Sequence, residues 1–166
     1  VENIKEVLIN KKRFEKELKV KISNIGKNFF VNGNPEKEYL AIRVLEAVNV
    51  GFSLDKALEL KQEEIMLQIL NIKNLTKRQD LKIIRSRIIG TGGRALKTLK
   101  NLTNCVLSLY KNNIGIFGNA EEIEDGVQAI SSLIKGSKHG NVYARLEKRR
   151  KNKRLENREL SLAESF

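Results

Sequence analysis

From residue 66 to residue 134 the apolar positions change period in a definite order. Met66–Ile72 is a short apolar run that reads as a strand. Leu81, Ile84 and Ile88 then recur at helical spacing, and the stripe stops at Gly90-Thr91-Gly92-Gly93. Laid on a helix at about 100° per residue, positions 94–102 separate into two arcs. Ala95, Leu96, Leu99 and Leu102 fall on one, Arg94, Lys97 and Lys100 on the other. Asn104–Tyr110 alternates instead, with Cys105, Leu107 and Leu109 facing one way and Val106, Ser108 and Tyr110 the other. Lys111-Asn112-Asn113 reads as a turn and Ile114–Phe117 as another strand. Asn119 then caps a helix, with Glu122 three residues on as in a capping box. Ile123, Val127, Ile130 and Ile134 form its buried stripe, and Gly136 its stop. The predicted order is strand, helix, glycine loop, helix, strand, strand, helix.

The first half repeats this pattern. Gly33-Asn34-Pro35-Glu36 parallels Gly118-Asn119-Ala120-Glu121, each after a short apolar strand and before an amphipathic helix. Asn34 is the cap, Pro35 the first helical residue, and Leu40, Val44 and Val48 the stripe. Leu18–Ile22 matches the strand at 104–110, which sets Asn10-Lys11-Lys12-Arg13 where the glycine loop belongs. Both glycines are missing there, so the backbone meets a phosphate less freely. Phe14, Glu15 and Glu17 dilute the charge of Lys11, Lys12 and Arg13. These three are expected either to add weak RNA contacts or to serve a structural or protein-docking role. The first strand of this copy would precede Val1. Gly51-Phe52-Ser53 opens the connection, with Ser53 capping a helix at 54–60, and no Pro/Gly/Ser linker separates the halves. Two closely packed units are expected: a degenerate one over 1–52, a connecting helix over 53–64, a second over 65–140, and a basic extension over 141–166.

Charge gives the pattern a purpose. The 166 residues carry 32 Lys and Arg against 20 Asp and Glu, a formal net charge of +12, which favours polyanionic partners. Residues 81–120 contain no acid at all, yet hold Lys82, Arg85, Arg87, Arg94, Lys97, Lys100 and Lys111. A glycine loop in such a surround lets phosphates reach main-chain N–H groups without repulsion. No apolar run is long enough for a membrane span, and a cytoplasmic chain is expected. With one cysteine, Cys105, and one histidine, His139, neither an internal disulfide nor a paired Cys/His zinc site can form. Cys105 reads as a packed strand residue and His139 as a surface residue. No cofactor and no catalytic residue are expected.

Rival readings of the loop fail on context. Gly90-x-Gly92-x-x-Ala95 fits a dinucleotide fingerprint, but the lead-in is helical and no acid follows until Glu121. A Walker loop needs a Gly-Lys-Ser/Thr that is absent. Nine aromatic residues, none grouped on a stacking strand, do not make an RRM.

The segment 65–137, with Ile88-Ile89-Gly90-Thr91-Gly92-Gly93 as its GxxG motif, resembles a type I KH domain. The resemblance implies an α/β (α+β) fold of two tandem type I KH domains, each a small three-stranded sheet packed on helices. It implies a cleft for about four single-stranded nucleotides, with Gly90, Thr91, Gly92 and Gly93 on phosphates and Ile89 and Val106 lining the base groove. Charge geometry adds Arg87, Arg94, Lys97 and Lys100. The degraded first loop, Gly51-Phe52-Ser53-Leu54-Asp55-Lys56-Ala57-Leu58 and Gly136-Ser137-Lys138-His139-Gly140-Asn141-Val142-Tyr143 make the whole similar to one family. It is the archaeal-type KH ribosome-assembly factor, related to the eukaryotic "partner of Nob" proteins. The resemblance implies binding near the 3′ end of small-subunit rRNA. It also implies contact with an rRNA-processing endonuclease and with the alpha subunit of translation initiation factor 2. A KH scaffold for protein docking, or a KH protein of transcription or RNA decay, is the alternative.

Lys148-Arg149-Arg150-Lys151-Asn152-Lys153-Arg154 packs six positive charges into seven residues. It reads as a solvated extension from which Lys148, Arg149 and Arg150 add weak phosphate contacts. Leu155, Leu160, Leu162 and Phe166 beyond it fit a helix or a docking peptide.

Overall fold

The computed structural model describes residues 4–163. The N-terminal half comprises α1 (Ile4–Ile9), α2 (Lys11–Leu18), β1 (Lys21–Ile25), β2 (Asn28–Asn32) and α3 (Pro35–Asn49). After α4 (Leu54–Leu58) and a 3-10 turn come β3 (Met66–Asn71), α5 (Ile72–Leu75) and α6 (Leu81–Ile89). The glycine loop leads into α7 (Arg94–Thr103), β4 (Val106–Tyr110), β5 (Asn113–Gly118), α8 (Ala120–Ile134) and α9 (His139–Ala163).

The predicted caps form. The Asn34 side chain accepts from Glu36 N at 3.2 Å, with Pro35 opening α3, and Ser53 Oγ accepts from Lys56 N at 3.3 Å. At α8 the capping box is complete: Asn119 Oδ1 accepts from Glu122 N (2.9 Å), and Glu122 Oε2 accepts from Asn119 N (3.0 Å).

β3, β5 and β4 form an antiparallel sheet in that order, with Leu67 opposite Phe117 and Leu107 opposite Ile116. One face carries Leu107, Ile114 and Ile116 into a core with Ile84, Ile88, Leu99, Ile130, Val142 and Leu146. The other face is covered by the N-terminal half, whose core takes in Leu67 and Phe117 beside Val50 and Phe52. Gly115 makes that approach feasible. A Cβ there would sit 2.5 Å from the Phe52 ring and 2.7 Å from Val50 Cγ2. Ser108 Oγ donates to Val50 O at 2.8 Å, and the Phe52 and Phe117 rings lie 5.4 Å apart. The close packing of halves expected from the missing linker is thus built on Gly51-Phe52 themselves.

Several boundaries differ from the sequence reading: α4 stops at Leu58 and passes into the 3-10 turn, β5 already begins at Asn113, and three shifts have a clear local cause. The strand expected at Leu18–Ile22 begins at Lys21, because Leu18 shares a buried helical stripe with Phe14 and Lys19 ends α2 in the left-handed region (φ +54°). Asn104 closes α7 the same way (φ +62°), so β4 starts at Val106. Ile72 leaves the strand for α5, which Asn71 Oδ1 caps by accepting from Lys73 N at 3.0 Å. The N-terminal sheet has two strands among the described residues, where three were expected. The missing strand was assigned upstream of Val1, outside the described residues. The final segment, expected as a helix or a docking peptide, is helical through Leu155, Leu160 and Leu162 to Ala163, and Phe166 lies outside the described residues.

Candidate nucleic-acid interface

The loop is shaped by glycine stereochemistry. Gly90 has φ +73°, ψ 171°, a region essentially closed to other residues, and a Cβ there would lie 2.6 Å from Ala95 Cβ. Gly92 (φ +60°) and Gly93 (φ +77°) are left-handed, and nothing stands within 4 Å of where their side chains would be. Gly90 therefore packs the loop onto α7, while Gly92 and Gly93 leave bare backbone facing outward. Gly93 provides no side-chain cap, and the turn spends the Gly93 and Arg94 N–H groups on Gly90 O (3.1 Å) and Thr91 O, at the positive end of the α7 dipole.

The amphipathic arcs of α7 are as expected. Ala95 and Leu99 are buried, Arg94 and Lys97 are exposed, and Lys100 is half-buried. Thr91 is exposed beside them, and Ile89 is 38% exposed at the end of α6, an apolar surface next to the phosphate-accessible loop.

Two expected site residues are placed elsewhere. Val106 is half-buried against the N-terminal core, because it lies on the face of β4 away from α6 and α7. The helix-facing positions of this edge strand are Leu107, buried, and Leu109, half-buried. Leu109 is the groove candidate, and the alternation of 105, 107 and 109 carried that signal. Arg87 does not project from the loop. Its Nη2 donates to Ser137 O (2.7 Å), and His139 Nε2–H donates back to Arg87 O (2.8 Å). His139 is half-buried rather than a surface residue; with Arg87 it clasps the start of α9 to the end of α6. Arg85 is likewise tied, Nη1 donating to Asn112 Oδ1 at 2.6 Å.

In the first copy a single residue, Asn10, joins α1 to α2 in place of a glycine loop, its amide donating to Glu6 O at 2.9 Å. Arg13 is ion-paired with Asp55, Lys11 is half-buried, and Lys12 alone of the three is exposed without an ion pair among the described residues. Along α9, Lys148 and Arg150 are exposed, whereas Arg149 Nε lies 2.8 Å from Asp125 Oδ1 and Lys153 Nζ 3.3 Å from Asp125 Oδ2. Arg149 thus anchors the helix to α8 rather than standing in solvent. Cys105 is buried, its Sγ donates to Glu122 O at 2.8 Å, and burial above all pushes its pKa up to about 11. A thiol so placed is inert packing. Among the described residues no group of three or more His, Cys, Asp or Glu is placed to hold a metal ion. None of their helices is long and apolar enough to cross a membrane.

The order β3, α6, glycine loop, α7, β4, β5, α8, with strands arranged β3–β5–β4, defines a type I KH unit. A family model for the second KH domain of Pno1 proteins, described as eukaryotic type KH-domain (KH-domain type I), matches residues 66–151, more than half of the chain. The chain belongs to this KH family of the Pno1 proteins. It is 29% identical over 147 residues to a KH domain-containing protein of Methanocaldococcus jannaschii, covering 84% of this chain and 65% of that one. It is 30% identical over 105 residues to the pre-rRNA-processing protein pno1 of Schizosaccharomyces pombe, covering 61% of this chain and 44% of that one. A chain in the crystal structure of an a/eIF2alpha-aDim2p-rRNA complex from Pyrococcus horikoshii has a similar fold. Its TM-score is 0.78 at 31% identity, covering 87% of this chain and 84% of that chain. The chain therefore spans about two thirds and less than half, respectively, of the archaeal and yeast relatives.

Proposed function

We propose that this chain is an RNA-binding assembly and processing factor of the small ribosomal subunit that holds single-stranded rRNA near its 3′ end. The observation that carries the reading is the glycine loop: bare backbone at Gly92 and Gly93, fixed by Gly90 against Ala95, in a stretch without an acid from 81 to 120. Phosphates lie on Gly90–Gly93 and the α7 N-terminus, with Arg94, Lys97 and Lys100 alongside. Bases meet Ile89 and Leu109. The yeast relative's name as a pre-rRNA-processing protein and the rRNA in the Pyrococcus complex support the choice of RNA. The same complex supports a/eIF2alpha as a protein partner; an rRNA-processing endonuclease belongs to the proposal on the family resemblance alone. The degenerate unit over 1–52, joined by 53–64 to the unit over 65–140, acts as a buttress for the clamp. The ion pair that occupies Arg13 supports that role over RNA contact.

The test is titration of a labelled RNA matching the 3′ end of small-subunit rRNA with wild type and Thr91→Asp/Gly92→Asp. About four neutralised phosphates on a single strand give a log–log salt slope near −3. The double variant, folded by circular dichroism, is expected to lose binding. Equal binding by both proteins would make the loop a bystander and sink the reading.

A further inference from the structure

The loop and α7 account for about four nucleotides, but the cationic surface continues past them. α9 lies along α7 and α8, with Val142 and Leu146 buried between them. Arg145 Nη2 donates to Ser132 Oγ (3.0 Å), Arg149 reaches Asp125 at 2.8 Å, and Lys153 reaches Glu121 at 3.2 Å. Positions 142, 145, 146, 149 and 153 form one face of a helix. That face is spent on fastening α9 down, and Asp125 beneath it is only 7% exposed.

The neighbouring flank is different. Arg150 and Arg154 are exposed, have no ion-pair partner among the described residues, and line a recess with Asn101 and Asn104 at the end of α7. The acids in that recess are already engaged. Glu122 takes Asn119 N–H and the Asn104 amide, Glu121 takes Lys153, and Asp125 takes Arg149 and Lys153. Asn101 stands one turn beyond Lys97 and two beyond Arg94 on α7. The surface therefore runs from the glycine loop over Arg94 and Lys97 to Asn101, and then onto Arg150 and Arg154. Glu147 lies a turn earlier on this flank, so the path joins α9 at Arg150 and not before it.

We propose that Arg150 and Arg154, with the Asn101 amide, form a second phosphate site for the RNA strand that occupies the glycine-loop cleft. The footprint on the RNA is then longer than the cleft alone. The Arg149 and Lys153 pairs with α8 aim these two guanidinium groups. The inference rests on the RNA-binding reading above, and the experiment separates the two.

Binding of two RNAs sharing a core sequence, of about four and about ten nucleotides, is measured across a salt series. For wild type the longer RNA is expected to show a log–log slope steeper by about 1.4, two phosphates at about 0.7 each. Arg150→Gln/Arg154→Gln is expected to return the longer RNA's slope to that of the short one and leave the short RNA unchanged. Lys151→Gln/Arg158→Gln removes the same charge from the outward side of α9 and is expected to leave the length difference intact. Equal wild-type slopes for both RNAs overturn the second site, as does an equal loss in the control pair. Thr91→Asp/Gly92→Asp isolates the underlying reading. If that variant binds both RNAs normally while the Arg150/Arg154 effect persists, the clamp fails and with it the claim that one strand spans both sites, although Arg150 and Arg154 still contact phosphate. If wild type binds neither RNA, both fail.

Discussion

Gly90→Ala puts the architecture of the loop to a quantitative test. The backbone at Gly90, φ +73° and ψ 171°, costs any other residue about 1–3 kcal/mol. The new Cβ would also lie 2.6 Å from Ala95 Cβ and 2.7 Å from Ala95 N, an overpacking of about 1–3 kcal/mol. Together the loss is roughly 2–6 kcal/mol. Gly92→Ala meets no atom within 4 Å and bears only the left-handed penalty of about 1–2 kcal/mol. Both variants gain about 0.4–1 kcal/mol from a stiffer unfolded chain, so their difference survives. Urea unfolding, with m of about 1–3 kcal/mol per M, reads this as a midpoint lowered by about 1–2 M more in Gly90→Ala than in Gly92→Ala. Ala95→Gly supplies the cycle. It costs about 1 kcal/mol of helix propensity by itself, but in the Gly90→Ala background it removes one of the clashing carbons and recovers part of the loss. Equal losses at positions 90 and 92, or a 90–95 coupling below about 0.5 kcal/mol, would refute the claim that the loop is seated on Ala95.

Three further outcomes are expected. Arg87→Gln and His139→Ala, which open the α6–α9 clasp, should weaken RNA binding without changing its salt slope, and His139→Gln, which keeps an N–H donor, should restore it; a shallower slope in Arg87→Gln would instead make Arg87 a phosphate contact. Cys105, its pKa raised to about 11 by burial, should react with a disulfide reagent at pH 8 only after unfolding in guanidinium, and a native rate equal to the unfolded one would contradict its placement. Gly115→Ala drives a methyl into Phe52 and Val50 and should lower stability by about 1–3 kcal/mol in urea, with an unchanged midpoint arguing against the seam.

Local signals were readable wherever local chemistry decides the structure. Asn119 with Glu122 announced α8, and the Ala95, Leu96, Leu99 and Leu102 arc announced the buried side of α7. Errors arose where the deciding partner is distant in sequence. Arg87 looked like a free cation because Ser137 and His139 are 50 and 52 positions away. Arg13 and Asp55, and Arg149 and Asp125, hide in the same way. Val106 was a different kind of miss. The period-2 pattern already put it opposite Leu107 and Leu109, and the groove assignment borrowed from resemblance overrode that geometry. At Lys19 and Asn104, left-handed helix ends displaced the predicted strand starts, and neither is the glycine by which such stops are usually recognised.

The back of the β3–β5–β4 sheet, filled by Val50 and Phe52 lodged against Gly115, restricts what else the molecule can carry. A sheet offers a visiting chain a face or a rim. With one face under helices and the other under the N-terminal half, only the outer strands remain, and they lie on opposite sides. The β4 rim borders the proposed nucleic-acid path. The β3 rim borders α3, where the Arg43 guanidinium already reaches Leu67 O. A chain that paired with the β3 rim through its main chain would have to displace that arginine. Two chains seated on opposite rims would share no strand of this sheet.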